Sequence, residues 1–191
     1  MAAQLPDPQP LPLIAVRPGQ QVVRQGEPGP GPWVVTSGAL LASAVSAAGH
    51  VLALEVIGPG DLVGEPDGAA AEASVRALRP SRLTPVADPS IAPLVAARAR
   101  RAAALARDLA WLDVRGRVEA RLTELADRFG HVVPGGVALT LALTQDDLAA
   151  LAGTSRESAN RALRGLERSG RLSVLGRGRY LLHPRLRAIG D

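Results

Sequence analysis

Hydrophobic and polar positions follow one pattern in the first half of the chain and another in the second. From Ile14 to about Val86, short apolar runs such as "WVVTSGALLASAV" and "HVLALEVI" alternate with glycine and proline breaks. Short apolar runs at regular spacing, bounded by turn residues, are typical of a β sandwich or barrel. Residues 1–13 are rich in proline and lack any period, so we expect a flexible tail before a β domain spanning residues 14–87.

At Asp88-Pro89 the pattern becomes helical, because aspartate is a good N-cap and proline fits the first turn. Residues 88–112 then carry a near-heptad apolar seam, interrupted only by Arg98: Ile91, Val95, Ala102, Leu105, Leu109 and Leu112. So narrow a seam requires a partner. A second copy of the chain is the economical choice, and we predict a dimerisation helix. The alternative is that the seam packs on the β domain of its own chain.

The remaining residues, 113–191, predict three helices and two hairpins. One helix runs from Asp113 to about Phe129, and a short hairpin follows it. Thr144 with Asp147 forms an approximate capping box for a short second helix, which Gly153 ends. The spacing of Thr154 and Glu157 predicts a capping box for a third helix, ending near Ser169.

Two helices joined by a short glycine-containing turn are typical of a helix-turn-helix. Apolar residues of both helices can share one core, which leaves a polar side exposed on the third helix: Arg156, Glu157, Asn160, Arg161 and Arg164. Arginine can read guanine, glutamate cytosine and asparagine adenine, and the N-terminal end of a recognition helix reaches the base edges. The segment "RLSVLGRGRYLLHP" predicts a wing whose Arg177 and Arg179 contact phosphate.

Charge is distributed unevenly along the chain. Residues 1–97 hold five arginines and eight acidic residues, a net charge of −3, whereas residues 98–191 hold seventeen arginines and ten acidic residues, a net charge of +7. A GC-rich coding bias alone could raise the arginine content, since the chain has no lysine. The asymmetry is more informative than the total of +4, and it favours nucleic acid as the partner of the second half.

Composition excludes several classes of function. The absence of cysteine excludes disulfides and thiolate-bound metals. The three histidines lack metal-ligand spacing, and no P-loop, nucleophile elbow or HExxH motif occurs, so we predict no metal, no cofactor and no catalytic site. The chain has no charge-free apolar run of about 18 residues, so we predict no membrane span. No signal peptide is recognisable either, so a cytoplasmic location is expected.

The segment "LTQDDLAALAGTSRESANRALRGLERSGRL" resembles the helix-turn-helix of the bacterial Crp/Fnr family of transcription regulators. "LAWLDVRGRVEARL" is similar to that family's junction between dimerisation helix and DNA-binding domain. "GDLVGE", residues 60–65, resembles its β-roll signature. The resemblance implies an α+β fold: an N-terminal cyclic-nucleotide-binding-like β-roll, a long dimerisation helix and a C-terminal winged helix-turn-helix.

The resemblance also implies a homodimer that binds double-stranded, palindromic promoter DNA and works with RNA polymerase. Carried over by position, Arg156 and Arg161 contact guanines, Glu157 contacts cytosine, and Thr154 and Ser155 bind phosphate. A half-site related to TGTGA follows as a hypothesis. The family often has a small or apolar residue where this chain has Asn160, which could alter the preference.

The implied effector pocket departs from the family pattern. In members that bind cyclic nucleotides, a glycine–glutamate pair holds the ribose, and a later arginine neutralises the phosphate. Gly64 and Glu65 match the pair, but Ala71 takes the place of the arginine and Glu72 that of the following serine. A carboxylate without a cation repels an anion, so we predict that cyclic AMP binds poorly or not at all. The alternative is a regulator that responds to cyclic AMP or to another small molecule.

Overall fold

The computed structural model describes residues 13–29, 31–65, 69–86 and 91–184. The predicted tail and the predicted helix start at Asp88 and Pro89 lie outside these ranges, apart from residue 13. Eight short strands come first: β1 Ile14–Val16, β2 Gln21–Val23, β3 Trp33–Ser37, β4 Leu40–Val45, β5 Val51–Ile57, β6 Leu62–Val63, β7 Ser74–Ala77 and β8 Ser81–Pro85.

These strands form two antiparallel sheets, ordered β1-β8-β3-β6 and β2-β7-β4-β5. Side chains from both sheets, including Val35, Leu40 and Leu83, bury one apolar core between them. Gly38 makes the tight β3–β4 turn with a φ of +101°, and it has no room for a side chain because Ser81 lies against it. The predicted β-roll is confirmed.

The second half holds the helices and a third sheet. Its elements are α1 Ala92–Trp111, α2 Val114–Phe129, β9 His131–Val133, β10 Gly136–Thr140, α3 Gln145–Leu151, α4 Arg156–Arg168, β11 Leu172–Gly176 and β12 Arg179–Leu182. The sheet is antiparallel, in the order β11-β12-β10-β9. Two helices at a glycine turn, followed by the β11–β12 wing, confirm the predicted winged helix-turn-helix and the α+β class.

The β-roll and the helix-turn-helix share one hydrophobic core. Leu41, Ala53 and Val56 of the β-roll belong to the same buried cluster as Leu148 and Leu151 of α3. Arg128 at the end of α2 donates to the carbonyl of Val56 at 2.7 Å. This continuous packing fixes the helix-turn-helix on one face of the β-roll.

Helix α1 presents different faces to different neighbours. Leu105 is 6% exposed, and together with Leu109 it lines a cleft of about 350 Å³ against Leu52 and Leu54 of β5. Leu109 also packs on the helix-turn-helix, since a side chain at Gly153 would lie 2.5 Å from its Cδ2. These leucines of the predicted dimer seam therefore pack within their own chain, as the alternative interpretation expected.

The outward face of α1 carries a second stripe with heptad spacing. Six alanines, here called the alanine stripe, are all exposed: Ala92, Ala96, Ala99, Ala103, Ala106 and Ala110. The stripe is about 27 Å long at 1.5 Å per residue and contains no charged residue. Val95, at 40% exposure, lies beside it.

Within the described residues, no helix is long and apolar enough to cross a membrane.

Candidate nucleic-acid interface

The two helices of the helix-turn-helix are fixed at their N-termini by side-chain caps. Thr144 caps α3 in a complete capping box, because its side chain accepts from the backbone N–H of Asp147 and Asp147 accepts from the N–H of Thr144. Helix α4 is capped one residue later than predicted. Ser155, not Thr154, accepts from the backbone N–H of Ser158, at 3.2 Å.

Thr154 instead belongs to the turn that Gly153 makes with a φ of +57°. It is half-buried, and with Ser155 it borders a cleft of about 690 Å³ that also touches Ser46 and His50 of the β4–β5 hairpin. The N-cap of α4 is therefore Ser155. The phosphate contacts of Thr154 and Ser155 stay predictions.

The exposed side of α4 is the one the sequence predicts. Arg156, Glu157, Arg161 and Arg164 are exposed, and Asn160 is half-buried. The opposite side packs Ala159, Leu163 and Leu166 into the core shared with α3. Their burial fixes the rotation of the helix, so its charged side faces solvent.

Two side chains on α4 are linked to the first residue of α3. The amide oxygen of Gln145 accepts from Asn160 Nδ2 at 3.1 Å and from Arg156 Nε at 3.3 Å. Asp146 adds a weaker ion pair to Arg156, at 3.8 Å. Gln145 is a site residue that the sequence pattern does not predict; its position at the start of the first helix of the motif is the only signal of it in the sequence.

The wing lies next to the same surface. Arg177 and Arg179 are exposed at its tip, and Arg179 donates to the carbonyl of Leu175 at 3.0 Å. Gly178 brings the tip close to the carbonyl of Leu141, where a side chain would not fit. Tyr180 is buried below, and burial raises the pKa of its hydroxyl, which therefore stays protonated.

The base of the wing is tied to α2 through Arg171 and Glu119, which form an ion pair. Burial and the nearby charge of Arg115 lower the pKa of Arg171. This pair and the shared core keep the wing and the recognition helix in a fixed relation.

The four residues of the implied effector pocket do not form one polar site. Ala71 is 4% exposed and belongs to the β-roll core, whereas Glu72 is exposed. Gly64 has a φ of +89°, and the backbone of Gly31 leaves no room for a side chain there. Glu65 is half-buried and forms an ion pair with Arg98 of α1.

Arg98 of α1 occupies the space beside the glycine–glutamate pair. It donates to the carbonyl of Gly64 and to Glu65 Oε1, both at 3.4 Å, and contacts Glu55 at 3.4 Å. Glu55 is 7% exposed and also accepts from Arg101 at 2.9 Å. In the sequence, Arg98 stands out only as an interruption of the apolar seam.

The pairs continue from the β-roll into α2. Alternating acidic and basic residues form what we call the ion-pair chain: Glu65, Arg98, Glu55, Arg101, Asp61, Arg128, Glu124, Arg121 and Asp108. It connects the glycine–glutamate pair to α2.

No group of three or more histidine or acidic residues in the described ranges could hold a metal ion.

A β-roll joined by a long helix to a winged helix-turn-helix with an arginine-rich recognition helix defines a DNA-binding transcription regulator. Two family models match the chain: a cyclic nucleotide-binding domain over residues 13–96 and a Crp-like helix-turn-helix domain over residues 116–189. The CRP-like cAMP-activated global transcriptional regulator of Mycobacterium tuberculosis is 32% identical over an alignment of 176 residues that covers 83% of this chain and 79% of that protein. The chain belongs to the Crp/Fnr family of transcription regulators.

Solved structures agree with this assignment. A CRP/FNR-family transcriptional regulator from Thermus thermophilus is 27% identical, with a TM-score of 0.79 over 92% of this chain and 96% of that chain. FixK2 from Bradyrhizobium japonicum, at 22% identity, shares the fold with a TM-score of 0.77 over 93% of this chain and 94% of that chain. These relatives are transcription regulators or share their fold, in line with the prediction that the chain is not an enzyme.

Proposed function

We propose that this regulator binds palindromic promoter DNA as a homodimer and does not require cyclic AMP. The observation that carries the proposal is the exposed side of α4. Its arginines, glutamate and asparagine are the side chains that read base edges in the major groove. The exposed arginines at the wing tip supply sequence-independent contacts to phosphate.

The alanine stripe supports the homodimer. Heptad spacing is the repeat with which two parallel helices pack along their length. Alanine allows the two axes to approach closely, at the short end of the usual range of about 8–10 Å. An uncharged stripe also lets a second copy pack without burying unpaired charge. We therefore assign the dimer contact to the alanine stripe, with Val95 and Leu112 of the predicted seam at its edge.

Independence from cyclic AMP is supported by Arg98 and Ala71. The cation that faces Glu65 is supplied by α1 of the chain itself, at 3.4 Å. The position that the family pattern gives to a phosphate-binding arginine is an alanine inside the β-roll core. The pocket thus has an internal counterion for its glutamate and no cation at the matching position for a phosphate.

A second candidate is a ligand-responsive regulator. The 32% identical relative is named as cAMP-activated. The cleft of about 350 Å³ between β5 and α1 is lined by Leu54, Glu55 and Arg98 among others, so a small molecule has space beside the ion-pair chain. In either case we expect RNA polymerase as a partner and the cytoplasm as the location.

Fluorescence anisotropy with a labelled duplex tests the proposal. The duplex carries two inverted TGTGA-like halves, and a control duplex has about five extra base pairs between them, which turn the halves to opposite faces of the DNA. We expect tight binding to the first duplex, binding at least about tenfold weaker to the second, and no change on adding cyclic AMP. Binding that appears only with the nucleotide would favour the second candidate.

Two variants separate base reading from phosphate contact in the same assay. Arg161→Ala is expected to weaken the specific complex by about 1–3 kcal/mol and to relax the preference at one base pair. Arg177→Ala is expected to weaken all duplexes alike and to lower the salt dependence by about one phosphate contact. Equal effects of both variants on all sequences would contradict the assignment of α4 as the reading helix.

A further inference from the structure

Gln145 links two side chains of the recognition helix that lie one turn apart. Its amide oxygen accepts one hydrogen bond from Asn160 and another from Arg156, at 3.1 Å and 3.3 Å. The cap of Thr144 holds the first turn of α3, so the backbone that carries Gln145 is fixed. The three side chains therefore form a polar triad on the surface that faces DNA in the proposed function.

The triad leaves a defined set of hydrogen-bonding groups on Asn160. An asparagine amide has two N–H donors and one acceptor oxygen. Gln145 accepts from one N–H of Asn160 Nδ2. The other N–H and the Oδ1 atom stay available for a base. Adenine presents the complementary pair in the major groove, its N7 acceptor and its N6 donor.

The same bonds orient Arg156. Its Nε is engaged by Gln145, and its two terminal nitrogens point away from that bond, one of them 3.8 Å from Asp146. Those terminal nitrogens can make the bidentate contact with the O6 and N7 acceptors of guanine. Gln145 thus reduces the rotamer freedom of two reading residues before DNA arrives, which lowers the entropy that binding must remove.

Stability of the fold does not explain this arrangement. All three side chains lie outside the hydrophobic core, and Arg156 has 61% of its side chain exposed. Gln145 is exposed as well and Asn160 is half-buried. Hydrogen bonds within reach of water contribute little to folding, because water replaces them. Their effect is instead on the geometry of the exposed groups.

We propose that Gln145 is a positioning residue that holds Asn160 for reading adenine, so that each half-site includes an A·T pair beside the guanines read by Arg156 and Arg161. The inference rests on the proposed function and names a determinant of its sequence preference. Gln145 acts through Asn160, so its loss changes the preference at the base pair that Asn160 reads.

The test measures binding of the full-length protein to a set of duplexes in which each position of the half-site carries each base pair in turn. Wild type is expected to prefer A·T at one position by at least about fivefold. Asn160→Ala is expected to lose that preference and to keep the others. Gln145→Leu, which removes the acceptor but keeps a similar shape, is expected to reduce the same preference.

Gln145→Glu is the matched control. It keeps an acceptor oxygen at the same place, so the A·T preference is expected to remain, whereas its added charge weakens binding to all duplexes. In the double variant Gln145→Leu/Asn160→Ala, the preference at that position is expected to equal that of Asn160→Ala alone, because one residue acts through the other. Thermal unfolding checks that each variant is folded.

A different pattern would overturn the inference. If Gln145→Leu weakens all duplexes by the same factor and its effect adds to that of Asn160→Ala, Gln145 is a phosphate contact. If Asn160→Ala changes no base preference, the adenine assignment is wrong while the proposed function stands. A wild-type protein that does not discriminate between duplexes would overturn the proposed function itself.

Discussion

Arg76 of β7 and Asp147 of α3 form an ion pair that joins the β-roll to the helix-turn-helix. The same carboxylate accepts from the backbone N–H of Thr144 at 2.8 Å and so completes the cap of α3. One aspartate thus fixes the start of the DNA-binding motif and anchors it to the domain that precedes it in the chain.

A double-mutant cycle with Arg76→Ala and Asp147→Asn measures this connection. Asparagine can still accept from Thr144, so the cap remains while the charge is removed. We expect a coupling of about 0.5–3 kcal/mol in the free energy of unfolding by urea, since both side chains are partly buried. The exposed pair Arg24 and Glu27 is the control, for which a coupling below about 1 kcal/mol is expected. Equal couplings would contradict a special role for the domain contact.

Removing Arg98 tests the internal counterion of the glycine–glutamate pair. Arg98→Ala leaves Glu65 without its partner and Glu55 with Arg101 alone. We expect a loss of about 1–3 kcal/mol in the free energy of unfolding, the usual result when a partly buried polar group loses its partner. Arg100→Ala, on the exposed side of the same helix, is expected to change stability by less than about 0.5 kcal/mol. An Arg98→Ala protein with the same free energy of unfolding as wild type would show that the ion pairs of Arg98 do not stabilise this domain.

A charge in the alanine stripe tests the dimer contact. Ala103→Glu places two like charges face to face in a parallel helix pair, so we expect monomers by sedimentation velocity at micromolar concentration. Wild type is expected to sediment as a dimer of the 19.7 kDa chain. Arg100→Glu, outside the stripe, is the control and is expected to remain dimeric. A dimeric Ala103→Glu protein would move the contact away from the stripe.

Substitutions at two glycines with positive φ distinguish the backbone strain of a turn from its packing against α1. Gly153 has a φ of +57° and Leu109 lies against it, whereas Gly170 has a φ of +66° and open space around it. Gly170→Ala is expected to lower the free energy of unfolding by about 1–2 kcal/mol, the cost of a left-handed alanine. Gly153→Ala is expected to lower it further, because Leu109 of α1 must shift. Equal losses in urea unfolding would show that α1 does not press on the turn.

The sequence predicted the parts of the fold that depend on local patterns. Glycine and proline breaks predicted a β sandwich or barrel, which the resemblance to the Crp/Fnr family specified as a β-roll. Alternating apolar and charged positions predicted the exposed side of α4, including Arg156 and Arg161. Local rules were less exact at the helix start, because Thr154 and Ser155 both fit an N-cap. Only the three-dimensional turn at Gly153 selects Ser155.

The sequence alone could not decide which distant segments contact each other. The predicted seam and the alanine stripe have the same heptad spacing and differ by one residue, about 100° around the helix. The pattern favoured the larger side chains of Leu105 and Leu109, which pack on β5 and Gly153 instead. The bonds from Gln145 to Asn160 and from Arg98 to Glu65 likewise join segments whose proximity only the fold creates.

Selection of bound sequences from a random DNA pool, with and without cyclic AMP, tests the central claim most directly. We predict that both arms yield a palindrome with TGTGA-like halves, and that Arg161→Ala relaxes the preference at one base pair of each half. Enrichment of the palindrome only in the arm with cyclic AMP would contradict effector independence. No enrichment in either arm would contradict sequence-specific binding by the chain on its own.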